Sequence, residues 1–109
     1  MKTSEHFEKE LNYIKNDMLR QIVAETLDAS PECIVEIPAS SSGRYHPQYS
    51  LGNGGLMRHV KAAVGIAKCM VETEIFDNMI MRKLRGVSEY DELRNNYADA
   101  TYAALILHD

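Results

Sequence analysis

The sequence has no apolar run long enough to cross a membrane or to act as a signal peptide. Its first twenty residues are dense in charge, and no later stretch approaches the roughly 18 apolar residues that a membrane helix needs. We therefore expect a cytoplasmic protein that does not associate with a membrane.

The sequence has only two cysteines and no excess of basic residues. Cys33 and Cys69 stand far apart without a CxxC spacing, which excludes a disulfide framework and favours reduced thiols. The 12 Lys and Arg residues face 16 Asp and Glu residues, for a formal net charge of −4. A broad basic face that neutralises the phosphates of duplex nucleic acid is therefore not expected. A small phosphorylated substrate needs only a few local cations and stays compatible with this charge.

Length and periodicity predict one all-α domain. The 109 residues suffice for a single modest core. Between residues 4 and 29, apolar residues recur at spacings of three and four, which predicts an N-terminal helix within residues 1–30. The residues of this apolar stripe are Phe7, Leu11, Ile14, Met18 and Ile22.

Later segments of the sequence predict further helices. Residues 33–38 are bracketed by prolines and are predicted to be extended. A long helix is predicted to follow Gly55, and residues 75–94 to form one or two short helices broken near Gly86, with Ser88 as a cap. A last helix is predicted from about residue 95 to the end, with Asp99 capping its start.

The segment 38–55 is an 18-residue stretch rich in Ser, Gly, Asn and Pro, predicted to be a loop that faces substrate. Its serine hydroxyls, the planar guanidinium of Arg44 and a glycine-rich helix start all suit phosphate. His46 is a candidate proton donor or second-metal ligand. A flexible polar loop is the alternative. The predicted substrate-binding residues are Ser40, Ser41, Ser42, Arg44, Gly54 and Gly55.

Three residues at 55–109 suit a divalent metal ion such as Mn, Fe, Co, Ni, Zn or Mg: His59 on one helix and the adjacent His108 and Asp109 on another. Small residues near them on both helices favour close packing. A hydrogen-bonded polar pair without metal is the alternative. Arg58, beside His59, is a candidate catalytic or phosphate-contacting residue, whereas Lys61 is predicted to be solvent-exposed.

The motifs around these residues resemble a known family. The sequence reads PASSSGRYHP from residue 38, LGNGGLMRHVKAA from residue 51 and AALILHD from residue 103. In order and spacing, these blocks resemble the HD-domain phosphohydrolases, in particular a bacterial and phage branch with the signature PASS-T/S-GKYHP…LGxGGLxRHTKAA. The resemblance covers roughly residues 38–67 and 97–109.

This resemblance implies an HD-like helical bundle in which His59, His108 and Asp109 are the first three metal ligands. The family's fourth ligand, a later Asp, has no counterpart before the sequence ends, nor has the Lys that often follows the HD pair. We therefore expect residues 1–109 to form the N-terminal part of one HD-type domain, with an apolar face whose exposure favours a homo-oligomer.

The function implied is hydrolysis of a phosphate ester of a nucleotide or short oligonucleotide by metal-activated water. Two alternatives stay open. One is a single-strand 3′–5′ exonuclease or phosphodiesterase. The other is a non-catalytic or incomplete HD module that binds a nucleotide or a partner protein.

Overall fold

A computed structural model describes residues 2–38 and 52–108, the side chain of Ile80 excepted. All regular structure in these residues is helical, which confirms the all-α prediction. The main helices are α1 (Glu8–Leu11), α2 (Asp17–Ala29), α3 (Gly55–Val71) and α4 (Tyr90–Leu107). Shorter helical turns cover Thr3–Phe7, Glu32–Val35, Phe76–Ile80 and Arg82–Leu84. Within the described residues, no helix has the length and apolar character needed to span a bilayer.

Helices α3 and α4 form the centre of the fold, and α1 and α2 pack against α4. Two contacts show that α3 and α4 are antiparallel: His59 near the start of α3 meets His108 after α4, whereas Val71 at the end of α3 meets Arg94 early in α4. Their shared apolar interface, together with the N-terminal helices, excludes water from one core. The core side chains on α3 and α4 are Leu56, Val60, Val64, Ala67, Val71, Ala98, Tyr102, Ala103 and Ile106.

The N-terminal region is helical, but the prediction of one continuous helix over residues 4–29 is wrong. The helix is interrupted between Leu11 and Asp17. There the Asn16 side chain accepts a hydrogen bond from the backbone N–H of Leu19 and caps α2. The break turns a different face of α2 inward. Of the predicted stripe, Met18 and Ile22 are therefore 73% and 51% exposed. The buried residues of α2 are Val23 and Leu27.

Two further boundaries differ from the prediction. Residues 33–38 are not an extended segment, because Glu32–Val35 form a 3-10 turn closed by bonds such as Ile34 N–H to the Pro31 carbonyl, 3.1 Å. The last helix starts at Tyr90, earlier than predicted, and its first residue follows Glu89 without any side-chain cap from Ser88. The break near Gly86 is confirmed, where the backbone adopts a φ of +87°.

Arg94 makes several polar contacts where α3 ends and α4 begins, which we call the far end of the α3–α4 pair. Its guanidinium donates to the Val71 carbonyl at 2.5 Å and to the Asp77 carboxylate at 2.7 Å, and the Tyr90 hydroxyl donates to the same carboxylate at 2.5 Å. Arg94 also lies over the Phe76 ring, 5.1 Å from its centroid. These contacts tie the short helices of residues 76–84 to α4.

Candidate metal centre at the start of α3 and the end of α4

The start of α3 is formed by a glycine turn that fixes where the following side chains project. Gly54 has a φ of +75°, a left-handed conformation in which a residue with a side chain is strained. Its N–H donates to the Glu36 carbonyl at 2.8 Å, and the Leu56 N–H donates to the Ile37 carbonyl at 3.0 Å. The segment before the loop thus holds the first turn of the helix that carries His59.

The central feature of the site is the meeting of two imidazoles from separate helices. The Nε2 atoms of His59 and His108 lie 3.3 Å apart, with ring centroids 5.4 Å apart and ring planes inclined by 55°. His59 is half-buried and His108 is exposed, so the pair can be reached from solvent. The sequence predicted that these two residues would meet, and the structure brings them together.

The second ring nitrogen of His108 has a partner that defines its tautomer. His108 Nδ1 lies 2.5 Å from the Leu105 carbonyl oxygen, which can only accept a hydrogen bond. The Nδ1 atom therefore carries the proton, and in the neutral ring Nε2 presents its lone pair towards His59. A metal-binding histidine usually donates its other N–H to a carbonyl or carboxylate in this way.

The spacing of the two Nε2 atoms fits a shared metal ion. Nitrogen ligands lie about 2.0–2.1 Å from a divalent ion such as zinc, so two adjacent ligands of one ion stand about 2.9–3.4 Å apart for angles between 90° and tetrahedral. The observed 3.3 Å falls in this range. Among the described residues, no third His, Cys, Asp or Glu joins the pair. Asp109, predicted as the third ligand, lies outside them.

Arg58 stands beside the histidine pair in the first turn of α3. It is exposed, and its Nη1 donates to the Asn53 carbonyl at 2.8 Å, across the glycine turn. The cation is thus held at the end of the predicted loop. A phosphate contact by Arg58 stays a prediction.

The loop residues predicted to bind substrate divide into two groups. The backbone N–H groups of Gly54 and Gly55 donate to the Glu36 and Gly52 carbonyls, so both amides are used within the protein. Their direct contact with substrate stays a prediction, while their role in shaping the turn is visible. The residues that lie outside the described part of the chain are Ser40, Ser41, Ser42, Arg44 and His46.

Two charged residues, one on α3 and one on α4, have structural partners that the sequence did not predict. Lys61 is not simply solvent-exposed: its Nζ lies 2.9 Å from Glu10 Oε1 and over the Phe7 ring, joining α3 to the N-terminal region. Asp99 does not cap its own helix. Its buried carboxylate accepts the N–H groups of Lys15 and Asn16, at 2.8 and 3.0 Å, just before α2.

The contact of His108 with the Leu105 carbonyl was not predicted from the sequence. A general signal was available, because the last carbonyls of a helix have no intrahelical partner and a histidine three residues on can reach one. By contrast, the contacts of Lys61 and Asp99 with the N-terminal region depend on tertiary packing, and no local pattern indicates them.

Comparison of the chain with known protein families, characterised proteins and solved structures gives no match. The functional interpretation therefore rests on the residues and their geometry.

Proposed function

We propose that this protein is a metal-dependent phosphohydrolase that acts on a phosphate ester of a nucleotide or short oligonucleotide. The observation that carries the proposal is the 3.3 Å approach of two imidazole nitrogens from α3 and from the end of α4. Facing nitrogens with this spacing need a proton or an ion between them. The resemblance of the surrounding motifs to HD-domain phosphohydrolases favours the ion.

In this proposal, His59 and His108 hold the metal with Asp109 as the third ligand. A divalent ion bound there would polarise a phosphate oxygen and bring the pKa of water close to 7. The Leu105 carbonyl keeps His108 in the tautomer that presents Nε2. Arg58 neutralises phosphate charge together with Arg44 and the serines of the loop, and His46 donates the proton to the leaving oxygen.

The test is a panel of phosphate monoesters, nucleotides and one diester, assayed on the full chain with added Mn²⁺, Ni²⁺ or Zn²⁺. We expect metal-dependent hydrolysis that falls at least about a hundredfold in His59→Ala and in His108→Ala, since loss of mere outer-shell support costs about ten- to a hundredfold. His6→Ala, a change of the same chemistry in the first helical turn, is the matched control and should keep full activity.

Two results would contradict the proposal. One is hydrolysis that survives in both histidine variants. The other is an absence of hydrolysis in the wild type with every metal tried, which would instead favour a non-catalytic module that binds a ligand through the same face. Preference for the diester over the monoesters would favour the phosphodiesterase within the same chemistry.

A further inference from the structure

A cavity lies between α3 and α4, away from the histidine pair. It has a volume of about 180 Å³ and is lined by the C-terminal half of α3, residues 94–102 of α4 and the segment between α1 and α2. Lys68 on its wall is nine residues after His59, about 13 Å along the helix at 1.5 Å per residue. The cavity is therefore separate from the histidine pair, and a ligand bound in it would not require the proposed hydrolase activity.

Tyr102, whose hydroxyl is buried, is one of the residues that line this cavity. The side chain is 2% exposed, its ring packs 5.7 Å from that of Tyr13, and among the described residues its hydroxyl has no hydrogen-bond partner. Leaving a buried hydroxyl without a partner is energetically costly, so natural structures normally supply one. Burial raises the pKa of Tyr102, with a further contribution from Glu72, so the hydroxyl stays protonated and can donate.

Cations outnumber carboxylates on the cavity wall. Lys15, Lys68 and Arg94 line it together with two carboxylates, Glu72 and Asp99. Arg94 is already paired with Asp77, and both carboxylates are engaged as well. Both Asp99 oxygens accept backbone N–H groups, and a Glu72 oxygen lies 3.0 Å from Lys68 Nζ.

Amide and ammonium groups on this wall still have hydrogens to donate. Lys15 Nζ donates to Asn95 Oδ1 at 3.2 Å, which uses the amide oxygen and leaves the Asn95 NH₂ group. A lysine ammonium carries three donors, so both Lys15 and Lys68 keep hydrogens for a further partner. A ligand that accepts hydrogen bonds and carries negative charge would match these donors and the Lys15 ammonium, which contacts an amide oxygen.

The volume points to a ligand larger than one water molecule. A single water needs only about 10–15 Å³ of such space, well below the volume found here. We propose that this cavity binds a small oxyanion, a phosphate or a carboxylate, through the Tyr102 hydroxyl and the ammonium groups of Lys15 and Lys68.

The experiment follows the backbone amide NMR signals of the full chain in EDTA during titration with inorganic phosphate, and in a second arm with acetate. Sodium chloride at matched ionic strength is the reference. We expect saturable shifts at Lys68, Asn95 and Tyr102 with at least one of the two anions. Saturation with phosphate alone identifies a phosphate site, and saturation with acetate alone identifies a carboxylate site.

Three variants test the residues. Tyr102→Phe keeps the ring and removes the hydroxyl, so it should fold with at least wild-type stability while its affinity falls about tenfold. Lys68→Met should also weaken binding about tenfold or more, because a hydrogen bond to a charged group contributes more than a neutral one. Lys83→Met removes the same charge from an exposed position at residues 82–84 and should bind like the wild type.

The proposal is overturned if neither anion gives saturable shifts at these residues, or if the shifts are confined to residues around His59. Equal affinity in the wild type, Tyr102→Phe and Lys68→Met would also overturn it.

Discussion

The two ends of the α3–α4 pair use polar side chains in opposite ways. At the far end, opposite charges meet: Arg94 binds the Asp77 carboxylate, which also accepts the Tyr90 hydroxyl. At the near end, where α3 begins and α4 ends, two like bases meet. The Nε2 atoms of His59 and His108 face each other there at 3.3 Å.

The difference concerns what each arrangement contributes without a ligand. The Arg94–Asp77 contact satisfies both partners and joins two elements of the fold. In the histidine pair, the two facing Nε2 atoms need a shared proton or a shared ion between them, and imidazole nitrogens are preferred ligands of borderline metals. We therefore assign a stabilising role to the far end and propose a functional role for the near end, and the following predictions test that division.

The largest expected effect on folding comes from Asp99→Ala in the middle of α4. The change leaves the N–H groups of Lys15 and Asn16 without their acceptor and should lower the free energy of unfolding by about 2–4 kcal/mol. Urea unfolding measures this. Asp91→Ala, an exposed position in the first turn of the same helix, is the control and should change stability by about 0.5 kcal/mol or less. If Asp99→Ala lowers the free energy of unfolding by less than about 1 kcal/mol, this carboxylate does not stabilise the segment between α1 and α2.

A smaller effect is expected at the near end from Gly54→Ala. Its left-handed backbone should cost about 1–2 kcal/mol with an alanine, and the new Cβ would lie 3.1 Å from Arg58 Nη1. Gly52→Ala is a matched control, because Gly52 has nearly the same φ, +74°, and open space around the added Cβ. Both should lose similar stability in thermal unfolding, but only Gly54→Ala should also lower hydrolysis, since it displaces Arg58. Equal activity in the two variants would separate Arg58 from the site.

The smallest expected effect concerns the pH dependence of the far end. Hydrogen bonds from Arg94 and then from Tyr90 hold the pKa of Asp77 below its ordinary value of 3.8. A carboxyl with a lowered folded pKa stabilises the protein above its unfolded pKa, and that contribution disappears as the pH falls through the folded pKa.

Urea unfolding of the wild type and Asp77→Asn should therefore show a stability difference that is constant from pH 7 to about pH 5 and shrinks below about pH 4. Asp91→Asn, with an exposed carboxylate nearby on α4, is the control for the general loss of negative charge. A difference that widens in acid would contradict the assignment of Asp77 as an ionised partner of Arg94.

The sequence predicted the parts of the fold that depend on local pattern. The α3 helix and its buried face were predictable because Leu56, Val60 and Val64 recur at helical spacing and a glycine pair precedes them. The break before α2 was not, because Asp99 holds it from 83 residues away along the chain, and the local signal of the Asn16 cap was weaker than the continuous apolar stripe. Tertiary contacts overrode periodicity there, and Met18 was left exposed as a result.

The site divides in the same way. The approach of His59 and His108 was predictable only by combining residue chemistry with the order of the motifs, since no spacing along the chain brings residues 49 apart together. The tautomer of His108 needed the position of the Leu105 carbonyl. The Tyr102 cavity had no sequence signal, because an apolar stripe conceals a tyrosine whose hydroxyl has no hydrogen-bond partner within the described part of the chain.

The central claim is that His59 and His108 hold one ion through their Nε2 atoms, and long-range ¹⁵N NMR of the imidazole rings during titration with Zn²⁺ tests it most directly. We predict that one equivalent of zinc shifts the Nε2 resonances of both residues together while Nδ1 of His108 keeps its proton, with His6 unchanged. If zinc leaves both rings unaltered, the two histidines do not form a shared metal site. The same conclusion follows if zinc shifts His108 in His59→Ala, or His59 in His108→Ala, as strongly as in the wild type.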